Sequence, residues 1–151
     1  MFVEIWGCEE GYWMNQGFCY KIFRTLQDYA DAELTCFHEG AILARPMTYT
    51  QAEFLESLLA YDEEQNGNGT SPERKVYLGF HVWDSQTLGN KLFKKLRDGT
   101  DLGLNNDKTK DCVAMTFDAN GAHLGWKWSP CEEPQHFICQ KSNYSHILSF
   151  L

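Results

Sequence analysis

Six cysteines in a chain of 151 residues constrain its fold more than any other feature. They are Cys8, Cys19, Cys36, Cys112, Cys131 and Cys139. Their number is even and no Cys-x-x-Cys pair occurs, so they read as three disulfides made in an oxidising compartment. Spacing alone leaves all fifteen pairings open. Cys131-x4-His136-x2-Cys139 has ligand types near zinc spacing. Zinc there would orphan the partners of both cysteines, so disulfides and a surface His136 are expected instead.

The rest of the chain supports one packed domain. Hydrophobic residues make up 43% and aromatics 15%, enough for a globular core at this length. The longest apolar runs fall far short of the ~20 residues of a membrane helix. A net charge of −8 repels phosphate backbones, which argues against nucleic acid as a partner. The opening "MFVEIWGCEE" lacks the basic n-region and the apolar length of a signal peptide. With disulfides demanding an oxidising compartment, the chain is expected to be secreted, or the extracellular part of a membrane protein, and either to begin at an added Met1 or to be one domain cut from a longer precursor. Asn68-Gly-Thr70 and Asn143-Tyr-Ser145 are sequons, so Asn68 and Asn143 are glycosylation candidates.

Along the chain, "GYWMNQGFCYKIF" reads as a hairpin followed by a strand. Thr25-x-x-Asp28 resembles a capping box that opens a helix. Leu26, Tyr29, Ala30, Glu33, Leu34 and Phe37 then recur at helical spacing, and Gly40 is the expected stop. Thr50-x-x-Glu53 opens a second helix, with Phe54, Leu55, Leu58 and Leu59 on its apolar face and an end near Tyr61. Residues 62–75 read as a solvated loop. "VYLGFHVW" (76–83) is a buried strand, and residues 91–100 form a second one running into the Asp98-Gly99 turn. Residues 101–111 read as a polar loop. "CVAMTF" and "HLGWKW" make a hairpin, and "HFICQK" closes the sheet. Two helices followed by antiparallel strands give an α+β domain over residues 1–142. Residues 143–151 are set apart as a tail, disordered or the start of a membrane or oligomer contact.

These marks, taken in order, resemble the C-type lectin-like domain over about residues 6–141. "GCEEGYWMNQGFCY" is similar to the disulfide hairpin of its long-form members. Cys36 lies in the first helix, "VYLGF" stands where the family has Trp-Ile-Gly-Leu, "RDGT" follows, and Cys112, Cys131 and Phe137-Ile138-Cys139 finish the pattern. The resemblance implies the pairing Cys8–Cys19, Cys36–Cys139 and Cys112–Cys131, and a fold whose first and last strands pair.

The family's sugar readers hold calcium, an ion that needs six to eight oxygen ligands. Their first ligand motif, Glu-Pro-Asn or Gln-Pro-Asp, would fall at Leu102-Gly103-Leu104, which offers no side-chain oxygen. Their second, Trp-Asn-Asp, is Trp126-Lys127-Trp128 here, and Lys127 brings a positive charge to a cation's place. No cofactor is expected. Any residual calcium site would draw on Asp101, Asp107 and Asp111, in a loop better read as a solvated turn. Trp126 and Trp128 share one face of a strand. That face is either core, which is the favoured reading, or an outward aromatic platform.

Enzyme motifs are absent. Glu63-Glu64 and Glu132-Glu133 read as acidic turns rather than acid/base pairs. The expected function is a non-catalytic recognition module without the usual calcium site. It would take a protein or glycan ligand on a cell surface or matrix through Asn106, Asp107, Lys127 and Trp128, and oligomers are compatible with it. The alternatives are a carbohydrate-binding lectin with a degenerate or relocated site and an acidic matrix protein.

Overall fold

The computed structural model describes residues 2–67, 73–81, 111–118, 121–142 and 144–149. Trp83, the strand expected at 91–100, residues 101–110 and both sequon asparagines, Asn68 and Asn143, lie outside the described residues.

The elements follow in the order β1 (Phe2–Gly7), β2 (Trp13–Asn15), β3 (Phe18–Gln27), α1 (Tyr29–His38), β4 (Ile42–Leu43), α2 (Tyr49–Asn66), β5 (Glu73–His81), β6 (Cys112–Asp118), β7 (His123–Ser129), β8 (Gln135–Ser142) and β9 (Tyr144–Ser149). The main sheet has the order β2-β3-β8-β5-β6-β7, with β4 also on β8. Its pairs are antiparallel except β5 and β8, which run parallel at Val76↔His136 and Tyr77↔Phe137. The all-antiparallel expectation is thereby corrected to a mixed sheet. The β6–β7 hairpin intervenes between β5 and β8, so the chain returns to β5 by a crossover rather than a tight turn.

The sheet is covered on both faces, which is why "VYLGF" shows no polar alternation. Val76, Leu78 and Phe80 join Ala52, Leu55, Leu58 and Leu59 of α2 in one core. Tyr77 points the other way and joins Ala32 and Cys36 of α1, Leu43, Phe137 and Cys139 in a second. A side chain at Gly79 would run into the Leu43 carbonyl, and the close approach lets the Gly79 N–H donate to Ala44 O at 2.8 Å.

The three disulfides are Cys8–Cys19, Cys36–Cys139 and Cys112–Cys131, as the resemblance implies. Cys36–Cys139 closes a separation of 103 residues, tying α1 to β8.

The helix boundaries differ from those expected from the sequence. α1 is capped by Asp28, whose carboxylate accepts from Asp31 N at 2.8 Å. Thr25 lies in β3 instead, because that strand pairs with β8 as far as Gln27↔Gln135. At the other end Gly40 (φ 71°) donates to Phe37 O and Ala41 donates to Cys36 O, a Schellman stop. The cap of α2 is Thr48, not Thr50: its hydroxyl accepts from Gln51 N, and the Gln51 amide oxygen accepts from Met47 N. α2 also continues past Tyr61 to Asn66, so residues 62–66 are helix and not loop.

Residues 144–149, expected to belong to a separate tail, form β9, paired antiparallel with β1 from Phe2↔Ser149 to Gly7↔Tyr144. No helix among the described residues is long and apolar enough to cross a membrane.

Candidate functional site

Strand β7 carries the residues that stand in the calcium motif. Trp126 is 3% exposed and stacks on Phe80 with ring centres 5.6 Å apart. Trp128, two residues on, is half-buried against the same core, so the shared face is packing rather than an outward platform. Lys127 points to the other side, is 54% exposed in its side chain, and lies 3.5 Å from Glu73 Oε1. This segment does not fit calcium. The ion needs hard oxygens, and β7 offers an ammonium and an indole packed on the core. Among the described residues no three His, Cys, Asp or Glu side chains converge on a metal position. Asp111 is described and half-buried, while Asp101, Asn106 and Asp107 lie outside the described residues. The structure therefore places Lys127 and Trp128 on opposite sides of one strand.

The zinc alternative ends with the disulfides, since Cys131 and Cys139 are both bonded elsewhere. His136 is not a plain surface residue. Its Nδ1 accepts from Arg74 Nε at 3.0 Å, in a charge cluster that no sequence motif announces. Arg74, 6% exposed in its side chain, also contacts Asp62 Oδ2 at 2.8 Å and Glu63 Oε2 at 3.3 Å. Arg24 reaches the same two carboxylates at 2.8 and 2.9 Å. Two arginines, from β3 and β5, thus clamp two carboxylates on the last turns of α2. That clamp supports the helix beyond Tyr61.

Glu63, expected in a solvated acidic turn, is one of the clamped groups, and Glu133 holds Lys75 at 3.0 Å. A cleft of about 370 Å³ opens beside them, walled by Arg24, Glu63, Arg74, Lys75, Glu133 and His136. Its charges are paired with one another. A base must be left able to take a proton from a substrate, so this wall reads as a structural clamp. Sequence offers little to reveal it, because Arg74 and His136 are 62 residues apart and neither sits in a motif.

Burial, and then the neighbouring Arg74 charge, push His136 down to about 4. Its folded value thus lies below the unfolded one, about 6.5. The associated stability is complete above about pH 6.5 and is lost as pH falls through about 4. Thermal unfolding between pH 7 and 4 should show a falling melting temperature, with a shallower fall in His136→Gln, whose amide can still accept from Arg74 but does not titrate. Equal slopes in the two proteins would refute the assignment.

A family model described as the lectin C-type domain matches residues 25–141. A C-type lectin mannose-binding isoform from Notechis scutatus scutatus is 28% identical over 138 residues, covering 88% of this chain and 82% of that protein. Among solved structures, the C-type lectin domain of murine dendritic cell inhibitory receptor 2, in complex with N-glycan, aligns with a TM-score of 0.66 at 21% identity, covering 90% of this chain and 99% of that one. A calcium-independent type II antifreeze protein aligns with a TM-score of 0.64 at 16% identity, covering 93% and 98%. At these identities the two structures speak to the fold alone.

Proposed function

The chain belongs to the C-type lectin domain family, and from that premise we propose that it is a secreted or extracellular, non-catalytic recognition module that binds its ligand without the family's usual calcium site. Lys127 carries this reading. It stands at the Asn position of the Trp-Asn-Asp motif, and its exposed ammonium opposes a cation there. Trp128, in the Asp position, supplies no side-chain oxygen. Leu102-Gly103-Leu104 supplies none from the other motif. Three disulfides support the extracellular placement. The ligand is a protein or a glycan on a cell surface or matrix, contacted through Lys127 together with Asn106 and Asp107, with Trp128 supporting the strand from the core side.

Glycans are the first probes to apply, since one relative is named mannose-binding and one structural neighbour was solved with an N-glycan. On a glycan array in calcium and in chelator, the expected result is no chelator-sensitive signal. Millimolar calcium should also leave the melting temperature unchanged, because a ligand of the folded state must raise it. Glycan binding abolished by chelator would sink the reading. Glycan binding that survives chelator and is lost in Lys127→Glu would select the carbohydrate-binding form of the same calcium-free site.

A further inference from the structure

Helix α1 turns Ala32 and Cys36 to the core with Tyr29 partly buried against them, and leaves Ala30, Leu34 and Phe37 facing water. Leu34 is 53% exposed and Phe37 73%, and Ile42 of the adjoining β4 is 53%. Ala30, Leu34 and Phe37 fall at helical spacing, so they make one stripe along the outer side of the helix. Two grooves run beside it, of about 370 and about 490 Å³, sharing Phe37, Ala41 and Ile42. Their floor is rigid. The Schellman stop fixes the end of α1, Cys36–Cys139 ties the helix to β8, and β4 pairs with β8. Such an apolar stripe on a braced helix is the surface expected of a recognition site.

Charge says what fits it. Between Arg24 and Arg45 the chain has no Lys or Arg, but it has Asp28, Asp31, Glu33 and Glu39. Glu33 lines the first groove. Lys141 lines the second, but it is only 11% exposed in its side chain and is held by Glu9 Oε1 at 2.9 Å and Glu39 O at 3.0 Å. The first groove is therefore an apolar floor bordered by Glu33, with the exposed Asp31 one helical turn from Leu34. A second copy would bring acid against acid, each chain carrying a net charge of −8, and an anionic membrane would meet the same repulsion.

We propose that the α1–β4 groove docks a basic amphipathic helical segment of another protein, whose apolar side chains seat against Leu34, Phe37 and Ile42 while its Lys or Arg residues face Asp31 and Glu33. This is the helix-in-groove mode of recognition. It is a second surface: α1 and β4 sit on β8, and β5 and β6 lie between β8 and the strand β7 that carries Lys127.

The test is fluorescence anisotropy with a labelled Leu/Lys peptide of about 14 residues, its leucines at helical i, i+3, i+4 and i+7 spacing. Two further peptides serve as controls, one with Ser for Leu and one with Glu for Lys. The Leu/Lys peptide should bind the wild type and lose roughly tenfold or more in affinity for Leu34→Ser/Phe37→Ser. Glu33→Lys should weaken it as well, while the Ser/Lys and Leu/Glu peptides bind poorly. Both sites of the double variant are exposed, so its melting temperature should match the wild type and report an intact fold. Equal binding by the double variant, or equal binding of the Ser/Lys peptide, would overturn the proposal. So would a wild-type dimer in sedimentation that the double variant dissolves, since that would make the occupant a second copy.

Discussion

Replacing Cys36 and Cys139 together with alanine is expected to lower the unfolding free energy by about 4–5 kcal/mol in the chain-entropy account of disulfides. The bridge spans 103 residues, so breaking it releases most of the chain in the denatured state. Both residues are fully buried in the α1-side core, and alanine also removes the packed sulfur atoms there. The Cys8–Cys19 bridge spans only 11 residues, and its removal should cost less, about 3 kcal/mol or below. Urea denaturation of the two double variants checks both values. If the Cys36/Cys139 pair cost no more than the Cys8/Cys19 pair, loop closure would not govern the loss, and residual structure in the denatured chain would account for it instead.

The second large effect is expected at Arg74. Its guanidinium is nearly inaccessible, and burial lowers its pKa even though Asp62 and Glu63 stand against it. Arg74→Met would strip Asp62 of one of its two arginines and leave His136 without its donor. Removing one member of a buried ion cluster typically costs about 3–5 kcal/mol, because the remaining charge stays desolvated without its partner. Adding Asp62→Leu should return part of that loss, since replacing both members by apolar groups is often close to neutral. A double-mutant cycle by chemical denaturation measures the coupling. Additive losses would mean that the cluster is not acting as a unit. Hydrogen exchange adds a local readout: in Arg74→Met the amides of residues 62–66 should lose protection before those of residues 52–59.

The disulfide pairing and the α+β plan are legible in the sequence because the cysteines and the strand "VYLGF" sit at family spacing. The helix edges are less so. Thr25-x-x-Asp28 carries a valid capping signal, but Asp28 is also a good cap for the turn that follows. Pairing of β3 with β8, a contact more than 100 residues away in the chain, decides between them. The end of α2 is hidden for a similar reason. "DEEQN" looks like loop until two arginines from distant strands are seen to bind its first two acids. On α1 the apolar period is plain in the sequence, but periodicity does not say which stripe faces inward. The small pair Ala32 and Cys36 takes the core because the disulfide to Cys139 draws that side of the helix against the sheet. The bulky pair Leu34 and Phe37 is left outside. On β7 the burial of Trp126 and Trp128 follows from strand alternation once the strand's partner is known.

Strand β7 is the outermost of the described strands at its end of the sheet. An uncovered edge offers unpaired backbone groups to any other chain and so invites fibrous association. Two features of β7 work against that. The register slips between Thr116 and Phe117, leaving Leu124 as an extra residue beside Gly125, whose φ of 103° bends the strand. Two residues on, Lys127 places a charge in the middle of an otherwise aromatic segment. A lysine on an edge strand is a common guard against aggregation. The residue proposed to disfavour a cation at the family's calcium position would thus also keep this edge from recruiting another chain, and Lys127→Ile should make the protein less soluble while leaving its fold intact.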